Sequence, residues 1–273
     1  MAITNKSSNE LTNIELSIQL SLSGLSFCIL NRNLNTVINL REIQFEKKLN
    51  PLELLDRLKE LFHNQETLSY NFSKVSVIHE NDLFAIVPQP LFNEDCLAHY
   101  LKFNSKILKS DYITYDTIKE NDSVNVYVPY ININNFIYDK FGAFTFKHIS
   151  TVLVENLLQV EKNKLNTRVY INVSFDHFEI VIIEHSKLKL CNTFTYGSYE
   201  DFIYYILFTA EQLNLNPETL KLVFLGQIEK GDKLYEIAYK YIRNISFGNR
   251  NDTFKFEKQP QTSYSNFTLI NNF

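Results

Sequence analysis

A chain of 273 residues is long enough for one large domain or two lobes. Its formal net charge of -4, with Lys and Arg scattered among Asp and Glu, argues against nucleic-acid partners and against an anionic membrane surface. Residues 1–19 carry no apolar signal core, and no stretch approaches the roughly 18 apolar residues of a spanning helix, so a cytoplasmic protein is expected.

The first ordered signal is strict alternation: Ile18, Leu20 and Leu22 against Gln19, Ser21 and Ser23, the period of a half-buried strand. It resumes in Leu25, Phe27 and Ile29, so Ser23-Gly24 reads as a two-residue hairpin turn in which Gly supplies positive φ. A third strand follows over 34–40. Asn50-Pro51 then opens a helix, with Asn50 as N-cap, Glu53 completing a capping box, and Leu54, Leu55, Leu58, Leu61 and Phe62 as its buried stripe. A strand over 74–79 completes a βββαβ unit. Beyond it the pattern gives strands over 82–87, 124–128 and 144–147 and helices over 93–103, 132–141 and 149–160, with the polar stretch 161–167 as a linker.

The unit then recurs. Val169, Ile171, Val173 and Phe175 alternate, the chain turns at Asp176-His177, and Phe178, Ile180 and Ile182 return. A third strand over 188–194, a helix over 198–213 and a strand over 220–225 follow, then a helix over 230–243. The two turns are offset by 153 positions (23 to 176, 24 to 177), which predicts two related lobes, 1–163 with an insertion around 80–122, and 164–273. Apolar residues run through two turns of the 198–213 helix, predicting that it is buried more completely than the 51–63 helix, between the lobes or under a partner. The tail 248–273 shows no period and receives no assignment.

This repeated order resembles the lobes of the actin, hexokinase and heat-shock-70 superfamily. More specifically, FAIVPQPLFNEDCLAHYLKFN at 84–104, with SLSGLSFCIL at 21–30 and SVNVYVPY at 123–130, is similar to the bacterial domain-of-unknown-function family 3822 over nearly the whole chain. The resemblance implies an α/β, two-lobed actin-like ATPase fold built from duplicated βββαβ units of ribonuclease H-like type, without assigning an activity.

In that superfamily both hairpin turns embrace the phosphates of magnesium-bound ATP, and a glycine pair at a second-lobe strand end packs against adenosine. Mapped onto this chain, the candidates are Ser23, Gly24 and Ser26 in the first turn, Asp176 and His177 in the second, and Gly226 and Gln227 at the strand end. The match is partial. Leu22 stands where an acid is wanted, His177 and Phe178 stand where glycine is wanted, and one glycine replaces the pair. With only six glycines in the chain, there is little backbone able to approach phosphate closely.

No P-loop, dinucleotide fingerprint or nucleophile motif is present. Cys28, Cys96 and Cys191 read as reduced core thiols. His177, Glu179 and His185 share a strand face, but Val181 and Ile183 lie between them, so no metal site is expected. The expectation is a non-enzymatic pseudo-ATPase with no required cofactor, acting through an unknown protein partner or self-association. The 16 Tyr and 22 Phe are numerous enough for some to remain on the surface and serve such contacts. The alternative is a divergent magnesium-ATPase using Asp176 as its acid.

Overall fold

The computed structural model describes residues 13–273; residues 1–12, which hold much of the stretch read as lacking a signal core and the start of the expected first lobe, lie outside the described residues. The hairpin β1 (Ile14–Leu20) and β2 (Gly24–Asn31) is extended by β3 (Thr36–Gln44), and α1 (Pro51–Asn64) crosses over to place β4 (Lys74–His79) parallel to β1. Then come β5 (Phe84–Pro88), α2 (Leu97–Leu101), β6 (Thr114–Ile118), β7 (Ser123–Tyr127), α3 (Ile131–Phe141), β8 (Thr145–His148) and α4 (Ile149–Val160). The second half holds β9 (Arg168–Val173), β10 (His177–Glu184), β11 (Lys187–Thr195), α5 (Tyr199–Gln212), β12 (Lys221–Gly226), α6 (Lys233–Tyr241), β13 (Asn244–Phe247), β14 (Lys255–Phe256) and α7 (Phe267–Ile270). Among the described residues no helix is long and apolar enough to cross a membrane.

Two large sheets share an inner order, β3-β2-β1-β4 in one and β11-β10-β9-β12 in the other; β14 and β8 flank the first, and β13 extends the second. Strands β5, β7 and β6 form a separate antiparallel sheet. The hairpin registers also correspond. Leu20 faces Leu25, and Val173 faces Phe178, each 153 positions on.

The turns differ in detail from the sequence reading. Backbone bonds Ser21 N–H to Gly24 C=O and Ser174 N–H to His177 C=O, both 2.9 Å, put Leu22-Ser23 and Phe175-Asp176 at the turn centres, one residue earlier than expected. No residue of either turn has positive φ. Gly24 is therefore not needed for conformation. It is needed for approach, because a Cβ there would lie 2.7 Å from Cε2 of the Phe175 ring.

Each large sheet buries one face under its own helices. Leu16, Ile18 and Leu20 of β1 pack with Leu54 and Leu58 of α1 and Ile133 of α3, while Val169 and Ile171 of β9 pack with Phe202 and Ile206 of α5. The capping box at Asn50 and Glu53 is formed as the sequence indicates. The opposite faces turn toward α4 and the C-terminal segment. Phe267 of α7 joins Leu153 and Leu157 of α4 against Tyr170, Val181 and Leu225, whereas Leu269 and Ile270 sit on Cys28, Leu30 and Val37 of the first sheet.

One expectation is corrected and two details are added. Helix α5 buries five residues against four in α1, as expected, but it lies on the outer face of the second sheet with α6, not between lobes, and Tyr204 and Phe208 are 58% and 43% exposed; its apolar run is wider than the face it buries. Strand β6, with its intermediate burial, went unread. The stretch 161–167 connects α4 to β9, and its first residue, Glu161, is buried and accepts hydrogen bonds from Tyr170 and Lys164.

Candidate functional site

The two hairpin turns meet. Ser23, Asp176 and His177 line one small pocket with Ser21, Glu80 and Thr193, of about 50 Å³. Ser26, Gly226 and Gln227 line a second, about 40 Å³, together with Gln19, Asn172 and Thr268. Gly24 lies beneath the Phe175 ring. The candidate residues are thus gathered at the junction of the two sheets, and the two cavities between the sheets are far below the roughly 300–1,000 Å³ of a ligand pocket.

A buried polar cluster occupies this junction. His177, the first residue of β10, places Nδ1 2.7 Å from Asp176 Oδ1. Its Nε2 lies 2.8 Å from Glu80 Oε1 and 3.4 Å from Glu179 Oε1, aligned for a hydrogen bond with neither. Glu80 follows β4 directly; its Oε1 accepts from Ser174 Oγ at 2.7 Å and its Oε2 from Gln19 Nε2 at 2.8 Å. Glu179 Oε2 accepts from Asn172 Nδ2 at 2.8 Å, and its Oε1 has no hydrogen-bond partner. Glu179 is fully buried and Glu80 nearly so.

Electrostatics follow from this packing. Burial pushes the His177 pKa down, but the Asp176, Glu179 and Glu80 carboxylates outweigh it and hold it well above the usual histidine range. Burial pushes Glu80 up, and its contact with His177 outweighs that, leaving the carboxyl below its ordinary value. The bond to His177 draws Asp176 down to about 2.

His177 and Glu179 share a strand face, and the structure brings them together. His185, the third member of that set, is exposed in the turn after β10 with φ 50°. Glu80 takes its place from the other sheet. Its one sequence signal is an acid directly after the apolar run of β4, which does not reveal that it faces β10.

Gly226 closes the junction from the second sheet. It has φ 77°, and a Cβ there would stand 2.3 Å from Val173 O, so both conformation and space exclude any side chain. Its N–H donates to the Tyr264 carbonyl at 3.1 Å, and Gln227 reaches Glu42 of β3 at 2.8 Å. The C-terminal segment runs into the same space. Asn266, Phe267 and Thr268 line the cavity between Gln19 and Ser26 on one side and Asn172 and Gly226 on the other, and Thr268 Oγ1 donates to Gln19 Oε1 at 2.6 Å. Buried Arg250 holds the approach by donating to the Thr262 and Ser265 carbonyls at 2.8 and 2.6 Å. Gly226 and Gln227 also line an open depression of about 590 Å³, large enough for a ligand, whose charged residues are Glu42, Glu229 and Asp232 against one Lys258, an acidic wall that repels phosphate.

A protein from Bacteroides thetaiotaomicron VPI-5482, with actin-like ATPase fold and unknown function, superposes on this chain with a TM-score of 0.81 at 24% identity, covering 97% of this chain and 96% of its own. A chain of the PilM–PilN type IV pilus biogenesis complex superposes with a TM-score of 0.58 at 11% identity, covering 94% of this chain and 96% of its own. No curated protein matches. These likenesses make the fold a two-lobed α/β actin-like ATPase fold. The family described as Protein of unknown function (DUF3822) matches residues 4–245, and the chain belongs to that family.

Proposed function

We propose that this chain is a non-catalytic cytoplasmic protein of actin-like fold, built from two related lobes, 1–163 and 164–273, whose nucleotide cleft has degenerated and is filled by its own C-terminal segment. Its work is done through protein contacts or self-association. The observation that carries this reading is the placement of Asn266, Phe267 and Thr268 between Gln19 and Gly226, with the Gly226 N–H given to Tyr264. A nucleotide would have to displace these groups, and it would meet His177 and its carboxylates where phosphate must approach. Asp176, the one acid the turns could offer magnesium, is instead engaged with His177. Exposed Tyr199, Tyr204 and Phe208 on α5, with Tyr239 and Tyr241 on α6, offer an aromatic surface suited to a protein partner. The PilM–PilN neighbour is a precedent for this fold within a protein complex, a likeness of fold alone.

The test is a thermal shift and hydrolysis assay with magnesium-ATP. A ligand at a hundred times its dissociation constant stabilises by about 2.7 kcal/mol, and neither that shift nor phosphate release above background is expected. A magnesium-dependent ATP shift that Asp176→Ala abolishes replaces this reading with the divergent ATPase.

A further inference from the structure

We propose that Glu80, His177 and Glu179 bind one zinc ion, which bridges the two large sheets at the hairpin junction. Each of the three residues offers a ligand atom within 4.8 Å of the others, His177 Nε2 lies 2.8 Å from Glu80 Oε1 and 3.4 Å from Glu179 Oε1, and all three side chains are buried. Four-coordinate zinc with bonds of about 2.0–2.2 Å sets its ligand atoms about 3.4 Å apart, so shifts of about 1 Å or less complete the shell.

Orientation separates this group from a simple ion pair. Nε2 lies close to both carboxylates and hydrogen-bonds to neither, and Glu179 Oε1 is buried with no hydrogen-bond partner, while Glu80 Oε1 accepts only from Ser174 Oγ. The atoms directed away from the centre are each held. Nδ1 is bonded to Asp176, Glu80 Oε2 to Gln19 and Glu179 Oε2 to Asn172, at 2.7, 2.8 and 2.8 Å. A carboxylate on the far nitrogen fixes the tautomer that leaves Nε2 free to ligate, and outer hydrogen bonds of this kind orient metal-binding carboxylates.

Charge points the same way. Two buried glutamates and Asp176 around one imidazole leave net negative charge even if the ring is protonated; a divalent ion with a neutral ring reduces that excess, balancing the two glutamates and leaving only the half-buried Asp176 uncompensated. Glu80 and His177 also border the pocket of about 50 Å³, large enough for a water as fourth ligand. One imidazole and two carboxylates suit zinc, whereas magnesium and calcium take six or more oxygens.

The experiment is isothermal titration of chelator-treated full-length protein with zinc chloride. One equivalent should bind with a dissociation constant of about 1 μM or tighter, and Glu80→Gln and Glu179→Gln should each weaken binding about tenfold or more. No uptake at about 100 μM zinc, or uptake unchanged in a folded variant, overturns the proposal. Should the variants not fold, zinc-edge X-ray absorption of the wild type decides. A shell of nitrogen and oxygen at about 2.0–2.1 Å with an imidazole contribution supports the site, and a sulfur ligand or a shell without imidazole overturns it. This result is independent of ATP, so it can fail while the degenerate-cleft reading stands.

Discussion

Replacing Phe267 by alanine tests whether the C-terminal segment fills the junction in solution. The ring is 2% exposed and packs among Leu153, Leu157, Tyr170, Val181 and Leu225, contributed by α4, β9, β10 and β12. Those walls belong to regular elements fixed elsewhere and cannot collapse onto the vacated space, so the full truncation cost of about 3–5 kcal/mol applies. A chain of this size loses roughly 2–4 °C per kcal/mol, so the melting temperature should fall by about 6–20 °C. Scanning calorimetry measures this, with exposed Lys258→Ala as a control expected within about 0.5 kcal/mol of wild type. A loss for Phe267→Ala no larger than the control's would refute the docked segment. The same variant carries a second readout: if magnesium-ATP stabilises it but not the wild type, the cleft is masked and not degenerate.

Gly226→Ala should destabilise the fold by several times the roughly 1 kcal/mol of an ordinary substitution, because the new Cβ meets Val173 O at 2.3 Å on a strand end with φ 77°; denaturant midpoints measure it, and an unchanged midpoint rejects the close approach. Acid should unfold the protein through His79 and His148, whose burial holds them down to about 4 and about 3. Their folded values lie below the unfolded value near 6.5, so the unfolded chain takes up more protons as pH falls: this stability is complete above about pH 6.5 and is lost toward pH 4 and then 3, with about 2 kcal/mol per histidine gone at pH 5. Urea midpoints at pH 7 and 5 test it, and equal values contradict it. His177 has the opposite sign: its raised value contributes below about 6.5 and is lost only as pH rises through its folded value. Asn50→Ala should cost about 1 kcal/mol through loss of the N-cap, read by the same titration; no change would deny the cap any role in stability.

The helix cap at Asn50 and the alternation of β1, β2, β9 and β10 are local chemistry, and these elements lie where their residues indicate. The turns were misplaced by one residue because Gly24 looks like a conformational glycine, whereas its reason is the Phe175 ring 151 positions away. The site was legible only in part. Asp176, His177 and Glu179 are neighbours in sequence, but Glu80 and Gln19 join them through sheet packing, which no spacing encodes. The tail was unreadable for a similar reason: Phe267, Thr268 and Leu269 each serve a different neighbour, so they show none of the periodicity of an element with one buried face.

Helix α7 touches β1 and β2 of one sheet and α4 beneath the other, and Asn272 donates to Ser17 and Ser76 of the first sheet. Its seat therefore exists only once both halves have assembled, and neither half can open fully while it is in place. Two lobes that could swing about a hinge are joined into one cooperative unit. Amide hydrogens in β2 and in β9 are then expected to exchange through a common opening that begins with release of residues 267–272, and hydrogen exchange in which the two strands open independently would contradict it.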